Sequence, residues 1–294
     1  MKTLLRWLPA TLLLAVFGLL WSTSASGGEE GVLAWILLMS VLPYLGALVL
    51  LAVIGLFIWK RNLTTPLFVT FLVSLFTIWP YLWQVGVLPM AYPVSIETTS
   101  PSATVRLPSD DPLLVGWGGD TPKVNYHVTF PNQRWAYDLM VEPALNGSNQ
   151  LEDYGCWGVE ILSPAKGEIV IAHDGEPDHI PGQDSEGYAN PAGNHIFIQL
   201  ENTGTFLAIA HFQEGSLVVR EGEDVREGQL LGRCGNSGST SEPHIHIHHQ
   251  RQDPRITPLD LAEGLPLFFR DHDGEPMPEG GIGSSSTIVQ HIGK

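Results

Sequence analysis

Two long runs without a single charge set the architecture. No Asp, Glu, Lys or Arg lies between Glu30 and Lys60, and none between Arg61 and Glu97. About twenty apolar residues cross the hydrocarbon of a bilayer, so charge-free runs of this length read as membrane-spanning helices. Residues 31–59 form one such segment, with Glu29-Glu30 before it and Lys60-Arg61 after it; residues 66–87 form the next. Trp79, Tyr81, Trp83 and Tyr92 gather toward the far end of the second, where aromatic rings favour the membrane interface. Pro43, Gly46 and Gly55 predict a kink in the 31–59 segment. No ionisable side chain lies within either span, which argues against a transporter or a proton path.

Residues 1–27 carry Lys2 and Arg6, then an apolar run over 8–21, then the small residues of 22–27. This is the layout of a signal peptide, and equally of a first span that is kept. Lys and Arg stay in the cytoplasm. Lys2, Arg6 and the Lys60-Arg61 loop are therefore expected inside, and everything after the last span outside. The remainder of the chain is acidic: the net charge is −16, and only Lys2, Arg6, Lys60, Arg61, Glu29 and Glu30 precede position 91. An acidic exported domain repels phosphate, so nucleic acid is not an expected partner. Both cysteines, Cys156 and Cys234, fall in the part expected outside, where disulfides persist. They are expected to pair, the alternative being two buried thiols.

Residues 91–125 are rich in Pro, Ser, Thr and Asp and read as a linker and lead-in segment. From Tyr126 onward, short β-prone runs alternate with Gly/Pro turns, which predicts an all-β domain over 126–265. Residues 174–193 form a polar stretch expected to be a loop beside a groove, and 257–267 are expected to form a short closing helix. The Gly/Ser/Pro-rich residues 266–294 are expected to lack fixed structure. The expected fold class is thus N-terminal transmembrane helices (two over 28–90, after the first segment) followed by an all-β domain.

Within that domain, His244-Ile245-His246-Ile247-His248 alternates strictly. Strand side chains point to opposite faces with period two, so three imidazoles share one face and two isoleucines the other. The isoleucines can pack on a core; the imidazoles look into a polar site and suit zinc. Upstream, Gly235-Asn236-Ser237-Gly238-Ser239 is turn chemistry, and Pro243 stands at the start of the strand.

These residues resemble the lysostaphin-type (LytM-type) zinc endopeptidases, which cut peptide bonds in bacterial peptidoglycan. The family's Gly-rich turn and its Pro-His-x-His motif read here as Gly232-Arg233-Cys234-Gly235-Asn236-Ser237-Gly238 and Ser241-Glu242-Pro243-His244-Ile245-His246. Its strand ending in Ala-His reads Ala210-His211, and between the two lies Val218 to Gln229 with Gly222, Val225 and Gly228. The resemblance runs over 126–260. It implies a small two-sheet, barrel-like core and a zinc ion as cofactor. It also implies peptidoglycan peptides as substrate; anchorage in the cytoplasmic membrane, with the domain outside, rests on the spans and charges above. Of the site residues, it implies His246 and Asp138 as metal ligands and His211 and His244 as the catalytic pair that handles protons and the oxyanion.

The sequence departs from the family at Arg134, which stands where the first ligand histidine of a His-x-x-x-Asp motif is expected. A guanidinium is protonated and has no lone pair to give a metal. Three completions stay open: His127 as the third ligand, His248 in that role, or no zinc, with Arg134 paired to Asp138. In the first, Arg134 becomes a substrate-groove residue, alongside Asn236. The corresponding functions are a membrane-anchored zinc metalloendopeptidase, or a degenerate protein that binds cell wall or regulates a partner hydrolase.

Overall fold

An apolar, charge-free sequence leaves the backbone no polar partner but itself, so the first part of the chain is helical. The computed structural model describes residues 4–183, 190–283 and 285–293. Lys2 and the middle of the 174–193 loop lie outside them. The chain divides into two units, Met1–Val94 and Ser95–Lys294.

The first unit comprises α1 (Leu8–Ala25), α2 (Gly28–Ser40), α3 (Leu42–Lys60) and α4 (Thr65–Ile78). Three helical stretches, Leu8–Ala25, Gly28–Lys60 and Thr65–Gln84, are long and apolar enough to cross a membrane. Pro43 lies in the first turn of α3, where its missing N–H does no harm, and the 31–59 segment divides at Val41. Gly46 lets α3 approach α4: a Cβ there would stand 2.5 Å from Thr77 Oγ1. The Thr77 hydroxyl donates to Ser74 O (3.0 Å) and Ser74 to Thr70 O (2.8 Å). These two buried hydroxyls of α4 are thus satisfied by their own helix, as apolar surroundings require.

The second unit is built from short strands. In chain order they are β1 (Ala103–Arg106), β2 (Leu113–Gly118), β3 (Tyr137–Met140), β4 (Glu160–Leu162), β5 (Gly167–His173), β6 (Asn194–Leu200) and β7 (Phe206–Phe212). There follow β8 (Asp224–Val225), β9 (Leu230–Arg233), β10 (Ile245–Gln250), β11 (Gly264–Leu265), β12 (Leu267–Arg270), β13 (Gly280–Gly281) and β14 (Ile288–Val289). The main sheet runs β13-β2-β3-β10-β7-β6-β5-β8, with β11 also on β10 and β14 on β2. It is open: among the described residues β13 and β8 are not paired with each other. Two small sheets, β1–β12 and β4–β9, complete the fold. Ile245, Ile247, Leu139 and Ile209 from the main sheet join Val105 and Phe269, and Ile161 and Leu231, in one buried cluster. Each such side chain removed from water stabilises the fold by about 1.5–3 kcal/mol. The expected fold class, apolar helices followed by a β domain, is borne out.

Three local expectations are corrected. The 257–267 segment is a single 3-10 turn, Leu259–Leu261, followed by β11 and β12. Pro258, Gly264 and Pro266 stand too close together for a helix to propagate. The supposed linker over 91–125 carries β1 and β2, and the supposedly unstructured 266–294 carries β12, β13 and β14. These runs stabilise one another: β1 pairs in parallel with β12, and β13 and β14 both pair with β2. The paired residues of β1 and β12 are 164 apart in sequence (Ala103 opposite Leu267), so neither run is legible alone.

Candidate metal centre

The site stands on the three middle strands of the main sheet. Asp138 on β3 lies directly opposite His246 on β10, and Ala210 on β7 flanks His246 on the other side. The two-residue period sends Ile245 and Ile247 fully into the core and turns His244, His246 and His248 to the opposite face. His211, at the end of β7, has φ 65°, a region that β-strand residues other than glycine seldom enter. Two backbone bonds hold it there: its N–H donates to Ala192 O (3.1 Å) and its carbonyl accepts from Gly235 N (3.0 Å). Strain of about 1–3 kcal/mol at such a residue is a common mark of a functional site. Gly238, with φ 79°, backs directly onto Gly193, where a Cβ would meet main chain.

Hydrogen bonds fix which nitrogen of each ring faces Asp138. The Asn125 amide donates to Gly119 O (2.9 Å) and Ala136 O (3.0 Å), so its oxygen is the acceptor for His127 Nδ1 (2.9 Å). His127 therefore keeps its proton on Nδ1 and presents a bare Nε2, 3.5 Å from Asp138 Oδ2. His244 Nδ1 donates to Glu242 O (2.8 Å), leaving its Nε2 3.5 Å from Asp138 Oδ1. His211 Nδ1 donates to Ser237 O (2.8 Å), again leaving Nε2 bare. His246 Nδ1 lies 2.8 Å from Asp138 Oδ1. The donor atoms of His127, Asp138 and His246 all fall within 4.8 Å of one another, and all three residues are buried. Two imidazoles and a carboxylate, with bare nitrogens converging on one buried anion, are a donor set that suits zinc.

Electrostatics divide the rings by role. Burial pushes the His127 imidazole down to about 3 and drives His211 well below its ordinary value, so both are neutral at physiological pH. Burial acts on His244 in the same sense, but the Asp138 carboxylate outweighs it and lifts that ring. Burial alone would raise the Asp138 carboxyl; the proton that His244 is disposed to hold, with its Nε2 3.5 Å away, instead keeps it well below its usual value. The His211 and His244 rings lie 4.8 Å apart between centroids, so a neutral ring and one disposed to hold a proton face the same space. A cleft of about 370 Å³ opens over His211 and His246, walled by Tyr126, Phe130 and Phe197 and bordered by Pro191 and Ala192.

The structure thus brings together His127, Asp138, His211, His244 and His246. It does not bring in Arg134. That guanidinium is buried, pairs with Asp120 Oδ1 at 2.9 Å and lies over the Trp135 ring at 4.8 Å. Neither the groove role nor the pairing with Asp138 describes it, because Asp120 and Trp135 offer a nearer anion and a ring face. Asn236 is also not a groove residue. It is fully buried, its amide donates to His179 O (2.8 Å), and its oxygen accepts from the Thr240 hydroxyl (3.0 Å). Its role is to brace the turn before β10. Cys156 and Cys234 form a disulfide with Cα atoms 5.8 Å apart, tying the 156 turn to the end of β9. The 174–193 loop borders the cleft where it is described: Asp178 accepts from Asn236 N (2.6 Å), and Pro191 and Ala192 line the cleft. Residues 184–189 lie outside the described residues. Asn125 is the functional residue that sequence reasoning missed; its place two residues before His127 is the spacing at which Asn side chains hold the backbone ahead.

Comparisons with known proteins agree with the geometry in part. Residues 153–258 match the model of peptidase family M23. That stretch includes His211, His244 and His246 and begins downstream of His127 and Asp138. Peptidoglycan DD-endopeptidase ShyC from Vibrio cholerae is 28% identical over 112 residues, 37% of this chain; the chain spans 24% of that relative's length. Among solved structures, the catalytic domain of lysostaphin from Staphylococcus simulans is similar at 17% identity, covering 51% of this chain and 84% of that one with TM-score 0.31. A zinc-containing peptidase from Vibrio cholerae is similar at 16% identity, covering 49% of this chain and 37% of that one with TM-score 0.30.

Proposed function

From the peptidase family M23 domain that this chain carries, we propose that it is a zinc endopeptidase of peptidoglycan peptides, tethered by its apolar helices with the β domain outside the membrane. One observation carries the reading: the converging donor atoms of His127, Asp138 and His246, within 4.8 Å of one another beside the cleft. His127, Asp138 and His246 would hold the metal, with His127 in the place that Arg134 leaves vacant. Zinc bound there would supply Lewis acidity toward a water molecule and the scissile carbonyl.

The chain's own residues supply the rest. His211 Nε2, bare and neutral, accepts a proton from the attacking water. His244, lifted by Asp138, donates a hydrogen bond from Nε2 to the developing oxyanion, and His211 passes the proton it took from water on to the leaving amine. Tyr126, Phe130 and Phe197 give the cleft apolar walls that exclude water around an extended peptide. The acidic surface and the three apolar helices favour a substrate in the wall over nucleic acid or anionic lipid. The other reading, a degenerate regulator of a partner hydrolase, drew its support from Arg134. The bare His127 Nε2 beside Asp138 weighs against it.

The test is metal analysis of the purified full chain together with digestion of peptidoglycan. Wild type is expected to hold one zinc and to release peptides. His127→Ala and His246→Ala are expected to lose zinc, while His211→Ala and His244→Ala keep zinc and lose hydrolysis. Full zinc in His127→Ala would remove the third ligand from the scheme. A wild type with neither zinc nor hydrolysis would favour the regulator.

A further inference from the structure

Behind His246, on the side away from Asp138, a row of buried side chains continues along β10. His246 Nε2 lies 3.0 Å from His248 Nδ1, and His248 Nε2 lies 3.2 Å from Gln250 Oε1. The Gln250 amide donates to Gln252 O at 2.8 Å. His248 and Gln250 are 4% and 0% exposed, so water does not complete these bonds. The strand's two-residue period places all three side chains on one face.

The direction of this chain is fixed from its far end. A main-chain carbonyl only accepts, so the Gln250 atom facing Gln252 O is its NH2 group, and Oε1 faces His248. Turning the amide over would set two acceptors 2.8 Å apart. His248 Nε2 must then carry the proton that Oε1 accepts, which leaves His248 Nδ1 bare. His246 Nε2 in turn carries a proton and donates it to His248 Nδ1. A ring that binds a metal ion is neutral, so as a ligand His246 has no proton left for Nδ1, which faces the Asp138 carboxylate at 2.8 Å. A lone pair against an anion at that distance is held only if a cation sits with them.

We propose that His248 and Gln250 are positioning residues that set the tautomer of His246, keeping Nδ1 bare so that His246 and Asp138 bind a metal ion together. This inference rests on the zinc reading above. It explains why a third histidine, at the edge of the cleft, and a glutamine buried beyond it continue the row past the two histidines of the motif. Phe197 packs edge-on against His248 with ring centroids 6.3 Å apart, holding the ring in line. Asn125 performs the same task for His127 from the opposite side of the site, fixing the proton on Nδ1 so that Nε2 is the bare atom. Partners that orient a ligand ring in this way are worth about 10–100-fold in metal affinity.

The experiment measures zinc affinity of the full chain in detergent by chelator competition, with cadmium-113 and histidine nitrogen-15 resonances as the second readout. His248→Phe keeps the ring volume and its packing and removes both bonds. Gln250→Met keeps the length and removes the acceptor. Gln250→Glu keeps an acceptor but buries a charge. The proposal expects His248→Phe and Gln250→Met to lose about 10–100-fold in zinc affinity. It expects Gln250→Glu, whose carboxyl can accept from His248 only while its other oxygen is protonated toward Gln252 O, to lose less affinity than Gln250→Met, and cadmium to couple to Nδ1 of His246. A role in packing alone reverses the order at 250, with Met tolerated and Glu harmful. Wild-type affinity in both His248→Phe and Gln250→Met, or cadmium coupled to Nε2 of His246, overturns the proposal while leaving the zinc site standing. A wild-type chain that binds no zinc removes the zinc reading, and this one with it.

Discussion

Replacing Arg134 with Met separates a structural role from a catalytic one. The side chain of Arg134 is 5% exposed and that of Asp120 is 39% exposed, with 2.9 Å between them. An exposed ion pair is worth about 0–1 kcal/mol and breaking a buried one costs about 3–5. Asp120 still reaches water and still accepts from Trp135 Nε1 at 2.6 Å, so the lost pair falls between those limits, at about 1–2 kcal/mol. The stacking of the guanidinium on Trp135 adds about 1 kcal/mol. Met retains much of the apolar stem. A total loss of about 2–3 kcal/mol lowers the melting temperature of a domain of this size by roughly 4–12 °C. Zinc stoichiometry and hydrolysis below the transition are expected to stay within twofold of wild type, because the Arg134 guanidinium is turned to Asp120 and Trp135. Arg134→His is expected to behave alike, since its side chain would point at Asp120 rather than at Asp138. Thermal unfolding followed by circular dichroism, with zinc analysis on the same samples, is the assay. An Arg134→Met chain that melts like wild type but no longer cleaves peptidoglycan would refute this reasoning and return Arg134 to the groove.

Other expectations follow from the same structure. Cys156 and Cys234 are 78 residues apart, so reducing their bond is expected to cost the domain about 4 kcal/mol on chain-entropy grounds; alkylation of both thiols without reductant would contradict the bond. His249 is neutral in the fold, its Nδ1 donating to Pro266 O and its Nε2 accepting from the Thr205 hydroxyl, and burial pushes it down to about 4. The unfolded chain takes up that proton first, so its contribution is complete above about pH 6.5 and is lost as pH falls toward about 4. His249→Gln is expected to flatten that part of the stability–pH curve, and an unchanged slope in denaturant titrations would exclude it. Protease added to spheroplasts is expected to digest the β domain and spare the Lys60-Arg61 loop; full protection of the domain would invert the assigned orientation.

What the sequence made legible is local, and what it hid is not. Charge-free runs and the alternation of His244 to His248 carry their meaning within a few residues, because a helix in lipid and a half-buried strand each impose a period of their own. Arg134 was misread for an instructive reason. Beside a motif, a charged residue in a ligand's position looks like part of the site, and only the fold reveals that Asp120, fourteen residues earlier, takes its charge. Asn236 was misread likewise, since a turn residue beside a histidine motif looks exposed until His179 and Thr240 are seen to enclose it. His127 could be picked out because a missing ligand leaves a vacancy that chemistry must fill. Asn125 and Gln250 could not, because an amide has no chemistry of its own to advertise. Their meaning lies in which way a hydrogen bond points, and that direction is set by carbonyls of Gly119, Ala136 and Gln252 that the chain brings up only when folded. A motif therefore names the atoms that could bind a metal. The surrounding backbone decides which lone pairs are free to do so, and in this chain three main-chain oxygens make that decision for two of the three proposed ligands.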